Sequence, residues 1–147
     1  MIGEIREVEK SQLADWAYFA HLAWKTEKKK LLVAFSEGKF PNEFLYYIEG
    51  EAVAWLSLSM RSEYVEGAEQ LPVAYIEGIA VVPVFQRHGI ATQLLDFAQS
   101  WATEKGVSQL ASDCDIDNAV SQAFHKKAGF KEISRTVHYM LNLDKKG

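Results

Sequence analysis

The spacing of apolar residues predicts two helices at the start of the chain. Apolar side chains recur every three or four positions from Leu13 to Trp24, and Ser11 before them can cap a helix. A second helical stretch covers about residues 27 to 37, and Gly38 follows as a stop signal. The first quarter of the chain is therefore expected to be helical.

Runs of branched and aromatic residues then predict strands. Residues 44–48 and 52–60 are rich in such side chains, and Glu49-Gly50 between them is typical of a tight hairpin turn. The polar residues 61–72 predict a connecting loop, whereas the apolar residues 73–82 are long enough for a central strand. Two antiparallel strands and a third are thus expected after the helices.

The second half of the chain predicts two helices and two strands. The clearest helical face is formed by Ile90, Leu94, Phe97, Ala98 and Trp101. Beyond it we expect a short strand at 109–112, a helix from Asn118 through residue 128, and a long final strand at 133–143. This order predicts an α/β fold with a mixed sheet, in which residues 73–114 supply a parallel strand, helix and strand unit.

Length and composition limit the class of protein. A chain of 147 residues, nearly half of them apolar, is expected to form a single domain over residues 1–147. No window is apolar enough to span a membrane and the first ten residues are too charged for a secretory signal, so a cytoplasmic location is expected. The single cysteine, Cys114, has no neighbours at metal-ligand spacing, so no metal is expected. The net charge of −4 weighs against nucleic-acid binding and allows an acidic pocket for a cation.

A glycine-containing segment lies between the central strand and the clearest helix. It reads Gln86, Arg87, His88, Gly89, Ile90 and Ala91, and its backbone amides can converge on an anion at the positive end of the helix. A pyrophosphate would suit this place, but an ordinary strand-to-helix turn with a glycine is the alternative from spacing alone.

This segment resembles the acetyl-CoA pyrophosphate loop of the GNAT superfamily of N-acetyltransferases. Asn118, Ser121, His125 and Gly129-Phe130 also fall where that superfamily has corresponding residues, although His125 stands in place of its common tyrosine. A narrower resemblance, to the bacterial aminoglycoside 6'-N-acetyltransferases, is carried by several short stretches of the chain. These are Asp15-Trp16, Leu22-Ala23-Trp24, Glu63 to Gly67, Pro72, Tyr75 to Ile79 and Ala111-Ser112-Asp113.

The resemblance implies an acetyl-CoA-dependent enzyme with the GNAT fold, in which helices flank a mixed, mostly antiparallel sheet. Direct transfer of acetyl to a primary amine would follow, most simply to the 6'-amine of an aminoglycoside, with antibiotic resistance as the role. The cofactor would be bound by three groups of residues. They are Ile79, Ala80 and Val81 on the strand, Gln86, Arg87, His88, Gly89, Ile90, Ala91 and Thr92 in the loop and first helical turn, and Asn118 with His125 further on.

Glu77 interrupts the apolar strand and is costly to bury unpaired. On a regular strand it would share a face with Tyr75, Ile79 and Val81. A glutamate at a sheet edge or paired with a basic neighbour is the structural alternative, but the resemblance implies a catalytic base that helps to deprotonate the amine. His125 is the second expected catalytic residue, as an acid for the departing CoA thiolate, with a capping or core histidine left open.

Four further residues are candidates for binding a polycationic amine. Asp113 and, with less support, Asp115 could hold ammonium groups, while Asp117 fits a helix-capping turn. Trp24 and Tyr64 could form walls for sugar rings, and core packing is an equal alternative for both.

Two other functions remain open from sequence alone. The enzyme could act on another amine, such as a polyamine, a small metabolite or a peptide amino terminus, or the chain could be an acyl-CoA sensor without turnover. The alternating residues of the expected final strand could also pair across a homodimer interface, which the sequence does not decide.

Overall fold

The computed structural model describes residues 3–144, which divide after Asp113 into two compact units. The first unit contains a five-stranded sheet and three helices. Its elements are β1 (Glu4–Glu7), a 3-10 turn (Lys10–Gln12), α1 (Leu13–Trp24), α2 (Lys28–Ser36), β2 (Glu43–Ile48), β3 (Glu51–Arg61), β4 (Val73–Val81), a 3-10 turn (Pro83–Phe85), α3 (Ile90–Glu104) and β5 (Leu110–Ser112). The second unit contains α4 (Ala119–Lys127).

The strands lie in the order β1-β2-β3-β4-β5. The first three pairings are antiparallel and the β4–β5 pairing is parallel, with α3 as the connection between these two strands. The predicted α/β fold with a mixed, mostly antiparallel sheet and one parallel unit is therefore confirmed.

Successive side chains of β2 lie on opposite faces of the sheet and pack into two different cores. Leu45 packs with Trp16 of α1 and Trp55 of β3 in a cluster on one face. On the other face Phe44 contacts the ring of Phe97 of α3, with ring centroids 4.8 Å apart. Both faces of the central strands are thus buried, which explains why β2 reads as a continuous apolar run after its first residue.

Local sequence signals place most element boundaries within one or two residues. The Glu49-Gly50 turn has positive φ at both residues, 50° and 81°, as a two-residue hairpin requires. Gly38 and Gly106, with φ of 77° and 81°, follow α2 and α3 as expected.

Three local features of the first unit differ from the expectations. Ser11 does not cap α1; it lies within the 3-10 turn that precedes the helix. β1 was not expected, because its sequence is mostly charged; it pairs with β2 as an edge strand, where polar side chains remain in water. Arg61 ends β3 and does not belong to the loop, which covers residues 62–72.

The second unit contains α4 followed by irregular backbone. Asn118 caps α4 as predicted, since its Oδ1 accepts a hydrogen bond of 3.0 Å from the backbone N–H of Ser121. The predicted final strand at 133–143 is wrong: residues 128–144 have no assigned strand in the described chain. Alternating side chains specify two faces, but a strand forms only where another strand pairs with its backbone.

Candidate functional site

A β-bulge places Glu77 in the sheet. Ser57 of β3 pairs with Gly78 of β4, and the next residue, Leu58, pairs with Ile76, so Glu77 is an additional residue on β4. Such a bulge interrupts the regular ladder and re-aims the side chains around it.

The bulge separates Glu77 from the strand residues that follow it. Tyr75 pairs with Ser59, whereas Ile79 pairs with Leu56, three positions away on β3, so Tyr75 and Ile79 lie on opposite faces. The Glu77 carboxylate contacts Ser59 and therefore lies on the face of Tyr75. The expectation that Glu77 shares a face with Ile79 and Val81 is wrong, because that expectation assumed an unbroken strand.

The Glu77 carboxylate is bound by two side chains of β3. Arg61 donates from Nε to Oε2 at 2.8 Å and from Nη2 to Oε1 at 2.6 Å, and Ser59 Oγ donates to Oε2 at 2.6 Å. Burial by itself would raise the pKa of Glu77, but the hydrogen bonds from Arg61 and Ser59 and the Arg61 charge outweigh it and lower that pKa. Glu77 is thus an ionised carboxylate in a half-buried place.

Trp24 forms a hydrogen bond with the backbone of Glu77. Its indole Nε1 donates a 3.0 Å hydrogen bond to the carbonyl oxygen of Glu77. The Trp24 ring stacks on Phe40, at 5.2 Å and 19°, and meets Trp55 edge-on at 5.1 Å. Trp24 is therefore packed against the core and, through its N–H, fixed to the bulge.

A second expected carboxylate lies close to Glu77. The Tyr75 hydroxyl donates a hydrogen bond to Oδ2 of Asp113, directly after β5, and the Arg61 guanidinium carbon lies 3.4 Å from the centre of the Tyr75 ring. Burial, followed by the hydrogen bond to Asp113, raises the pKa of Tyr75, which keeps the hydroxyl protonated as a donor. The structure thus brings Trp24, Glu77 and Asp113 together around Arg61 and Tyr75.

The expected phosphate loop joins β4 to α3. Gln86 donates from Nε2 to the Val81 carbonyl at 3.0 Å, which ties the loop to the end of the strand. Arg87 and Gly89 have φ of 66° and 79°, so the chain turns sharply before the helix starts at Ile90. The side chain of Ile90 is buried, whereas those of Gln86, Arg87, His88 and Thr92 are exposed and that of Ala91 is half-buried.

This loop has room for an anion. A Cβ atom placed on Gly89 would meet no atom within 4 Å, so the space beside the backbone is open. The amides of the first turn of α3 have no carbonyl one turn earlier in the helix and carry its positive end. Residues 86–92 therefore fit a phosphate group.

In the second unit His125 is tied to its own helix. Its Nδ1 lies 2.7 Å from the carbonyl oxygen of Ser121 and 3.3 Å from the hydroxyl oxygen of the same residue. The ring also meets Phe130 edge-on at 5.0 Å. Asp115 precedes the helix with an exposed side chain, and its carbonyl accepts from the backbone N–H of Asn118 at 3.0 Å. Asp117 lies in the turn between Asp115 and Asn118, as expected.

Tyr64 lies in loop 62–72 with 81% of its surface exposed, so core packing does not explain this residue.

Sequence reasoning missed Ser59, Arg61 and Tyr75 as the contacts of the two carboxylates. A signal for the first two was present, because polar residues at positions 57, 59 and 61 alternate along an otherwise apolar strand and so share one face.

Residues 3–144 form neither a metal cluster nor a membrane-spanning helix. No group of three or more His, Cys, Asp or Glu side chains is arranged to hold a metal ion there. No helix in that range is both long and apolar enough to cross a bilayer.

Comparison with known proteins places the chain in a family. Residues 6–130 match the Acetyltransferase (GNAT) family. The aminoglycoside N(6')-acetyltransferase type 1 of Acinetobacter haemolyticus is 33% identical over 143 residues, covering 95% of this chain and 99% of the relative. The protein of the same description from Acinetobacter genomosp. 13 is 36% identical over 139 residues, covering 92% of this chain and 95% of the relative.

A solved structure of AAC(6')-Iy in complex with the bisubstrate analogue CoA-S-monomethyl-acetylneamine is also similar. It superposes with a TM-score of 0.86 at 31% identity and covers 97% of this chain and 99% of its own. Together with the family match across both units, this similarity identifies the chain: it belongs to the Acetyltransferase (GNAT) family.

Proposed function

We propose that the protein transfers the acetyl group of acetyl-CoA to the 6'-amine of an aminoglycoside. The observation that carries this proposal is the pair of carboxylates, Glu77 bonded to Arg61 and Asp113 bonded to Tyr75, in a chain whose relatives are aminoglycoside N(6')-acetyltransferases over almost their full length. Residues 1–147 would act as one acetyltransferase domain, since the family match runs across both units.

Acetyl-CoA supplies an activated thioester, and residues of the chain bind and orient it. The open space beside Gly89 and the free amides at the start of α3 support a pyrophosphate site formed by residues 86–92. Ile79, Ala80 and Val81 would offer backbone groups to the rest of the cofactor. Asn118 and His125 remain proposed cofactor contacts on the second unit.

Glu77 is proposed as the base that receives a proton from the acceptor amine. Its carboxylate is ionised, which is the form that can accept that proton. His125 is proposed to protonate the departing thiolate.

Four side chains are proposed to hold the polycation. Asp113 and Asp115 would attract ammonium groups, and Trp24 and Tyr64 would cover sugar rings. The exposure of Tyr64, and the half-buried position of Trp24 beside Glu77, support contact of both with a ligand.

The location and assembly of the protein are separate proposals. A cytoplasmic location is supported by the need for acetyl-CoA and by the exposed free thiol of Cys114.

A homodimer is supported by the large apolar side chains that residues 137–143 expose, including Tyr139 and Met140 at 90% each. Sedimentation equilibrium distinguishes a dimer from a monomer.

The decisive experiment measures CoA thiol release with acetyl-CoA and two matched acceptors. Neomycin carries an amine at the 6' position, whereas paromomycin carries a hydroxyl there and is otherwise the same molecule. Turnover with neomycin and little with paromomycin supports transfer to the 6'-amine. Equal turnover with both contradicts the position of transfer, and turnover only with spermidine or a peptide contradicts the aminoglycoside class. Bound acetyl-CoA without turnover of any amine would indicate a sensor.

A further inference from the structure

Arg61 is the one cation that contacts the Glu77 carboxylate among the described contacts. Its fork spans both carboxylate oxygens, with donors 2.8 Å from Oε2 and 2.6 Å from Oε1. Ser59 adds a second donor to Oε2. A carboxylate has about four acceptor positions, so these three bonds leave one, on Oε1.

Arg61 is itself held from a second side. The guanidinium lies 3.4 Å from the centre of the Tyr75 ring, and the hydroxyl of Tyr75 is bonded to Asp113. A planar guanidinium can stack on a ring and form a two-point contact with a carboxylate at the same time, which an ammonium cannot. A substrate ammonium that displaced Arg61 would have to replace both the two-point contact and the stacking, so Arg61 is a fixed part of the site.

The titratable groups around Glu77 come from four elements or segments. Arg61 lies on β3, Tyr75 on β4 itself, Asp113 after β5, and the buried Glu43 on β2. From α1 it is the uncharged indole of Trp24 that contacts this residue. Among these groups Arg61 is the cation that balances the charge of the Glu77 carboxylate.

We propose that Arg61 is the positioning residue of acetyl transfer: its guanidinium fixes the Glu77 carboxylate and leaves one acceptor position on Oε1 for the substrate amine. This inference rests on the proposed role of Glu77. Arg61 contacts the base, not acetyl-CoA or the acceptor amine, in this scheme; it acts by orienting the base and by keeping it ionised.

The test compares Arg61→Lys with Arg61→Gln. The lysine keeps the charge and loses the two-point contact, so kcat/KM for neomycin should fall about tenfold or more with a pH profile close to wild type. The glutamine also loses the charge, so its kcat/KM should fall by a larger factor at pH 5.5 than at pH 8. Acetyl-CoA affinity, measured by calorimetry, should stay at the wild-type value in both variants.

Arg6→Gln is the matched control. Arg6 also pairs with a glutamate, Glu4 at 2.9 Å, and lies 5.3 Å from the ring of Tyr47, but on edge strand β1. This variant should keep wild-type kcat/KM at every pH. Wild-type rates in both Arg61 variants, or a loss of equal factor at every pH in Arg61→Gln, would overturn the positioning role.

A readout independent of turnover separates this inference from the proposed function. The titration of the Glu77 carboxyl carbon, followed by NMR in the free protein, should move to higher pH in Arg61→Gln and stay in place in Arg6→Gln. An unchanged titration would overturn the role of Arg61 even in an active enzyme. An inactive wild-type protein with the expected titration shift would contradict the proposed acetyl transfer and leave the Arg61–Glu77 coupling established.

Discussion

The buried carboxyl of Glu43 should make the protein less stable as the pH rises. Glu43 begins β2 with only 2% of its surface exposed. Three donors surround it: the indole N–H groups of Trp16 and Trp55, at 2.7 and 3.2 Å from Oε1, and the Ser57 hydroxyl, at 2.5 Å from Oε2. Burial raises the pKa of Glu43 to about 7, although these hydrogen bonds lower it in part.

The size of the effect follows from linkage. In the unfolded chain the carboxyl loses its proton near its ordinary pKa of 4.5, whereas the folded protein retains the proton up to about 7. The contribution of the protonated Glu43 carboxyl to the free energy of unfolding is fully present below pH 4.5 and is lost as the pH rises through 7. The difference between the two pKa values corresponds to about 3 kcal/mol of that free energy. Between pH 5 and pH 8 the folded protein should therefore lose about 2 to 3 kcal/mol through Glu43 alone.

Glu43→Gln removes this dependence while keeping the shape of the side chain. The amide oxygen can accept from both indoles, and the amide nitrogen can donate to the Ser57 hydroxyl once that hydroxyl rotates. When the pH is changed from 5 to 8, we expect the stability of the variant to rise by about 2 to 3 kcal/mol relative to that of wild type.

Urea denaturation at both pH values, at fixed ionic strength, measures this difference. The comparison of variant with wild type cancels the contribution of every other titrating group. Glu51→Gln, at an exposed position at the start of β3, is the control and should follow wild type at both pH values. If Glu43→Gln and wild type lost stability equally from pH 5 to pH 8, Glu43 would not titrate in this range and the reasoning would be refuted.

Three further changes test the site and its support. Glu77→Gln should lower kcat/KM by about 10² or more near neutral pH with acetyl-CoA affinity unchanged, because it keeps the shape and removes the base; wild-type turnover would exclude Glu77 as the base. Gly89→Val should weaken acetyl-CoA binding in calorimetry, since a branched residue is strained at φ of 79° and would fill the open space. Equal affinity would show that residues 86–92 do not form the phosphate site. Gly78→Ala should destabilise the fold by about 1 to 3 kcal/mol in urea denaturation, because the new Cβ would lie 2.1 Å from the buried Trp55 ring; unchanged stability would show that the ring can move.

The expected site was only partly accessible to sequence reasoning. Glu77 could be singled out because a carboxylate within an apolar strand needs a partner, but the identity of that partner depends on pairing between β3 and β4. A single additional residue on β4 reverses the face on which later side chains lie. Arg61 was assigned to a loop, and its contact with Glu77 exists because β3 extends one residue further than its apolar run.

The sequence by itself determined the helix ends, turns and caps, which depend on local chemistry. Glycines with positive φ end α2 and complete the β2–β3 turn, and Asn118 starts α4, because caps and turns depend on a few adjacent residues. Only the tertiary structure decided which strands pair and therefore what each polar side chain meets. It formed the charged edge strand β1, placed a bulge at Glu77, and left residues 133–143 without the strand that their alternation predicts. The physical reason is that a strand and its register are properties of two chain segments, and the pattern along one segment cannot specify its partner.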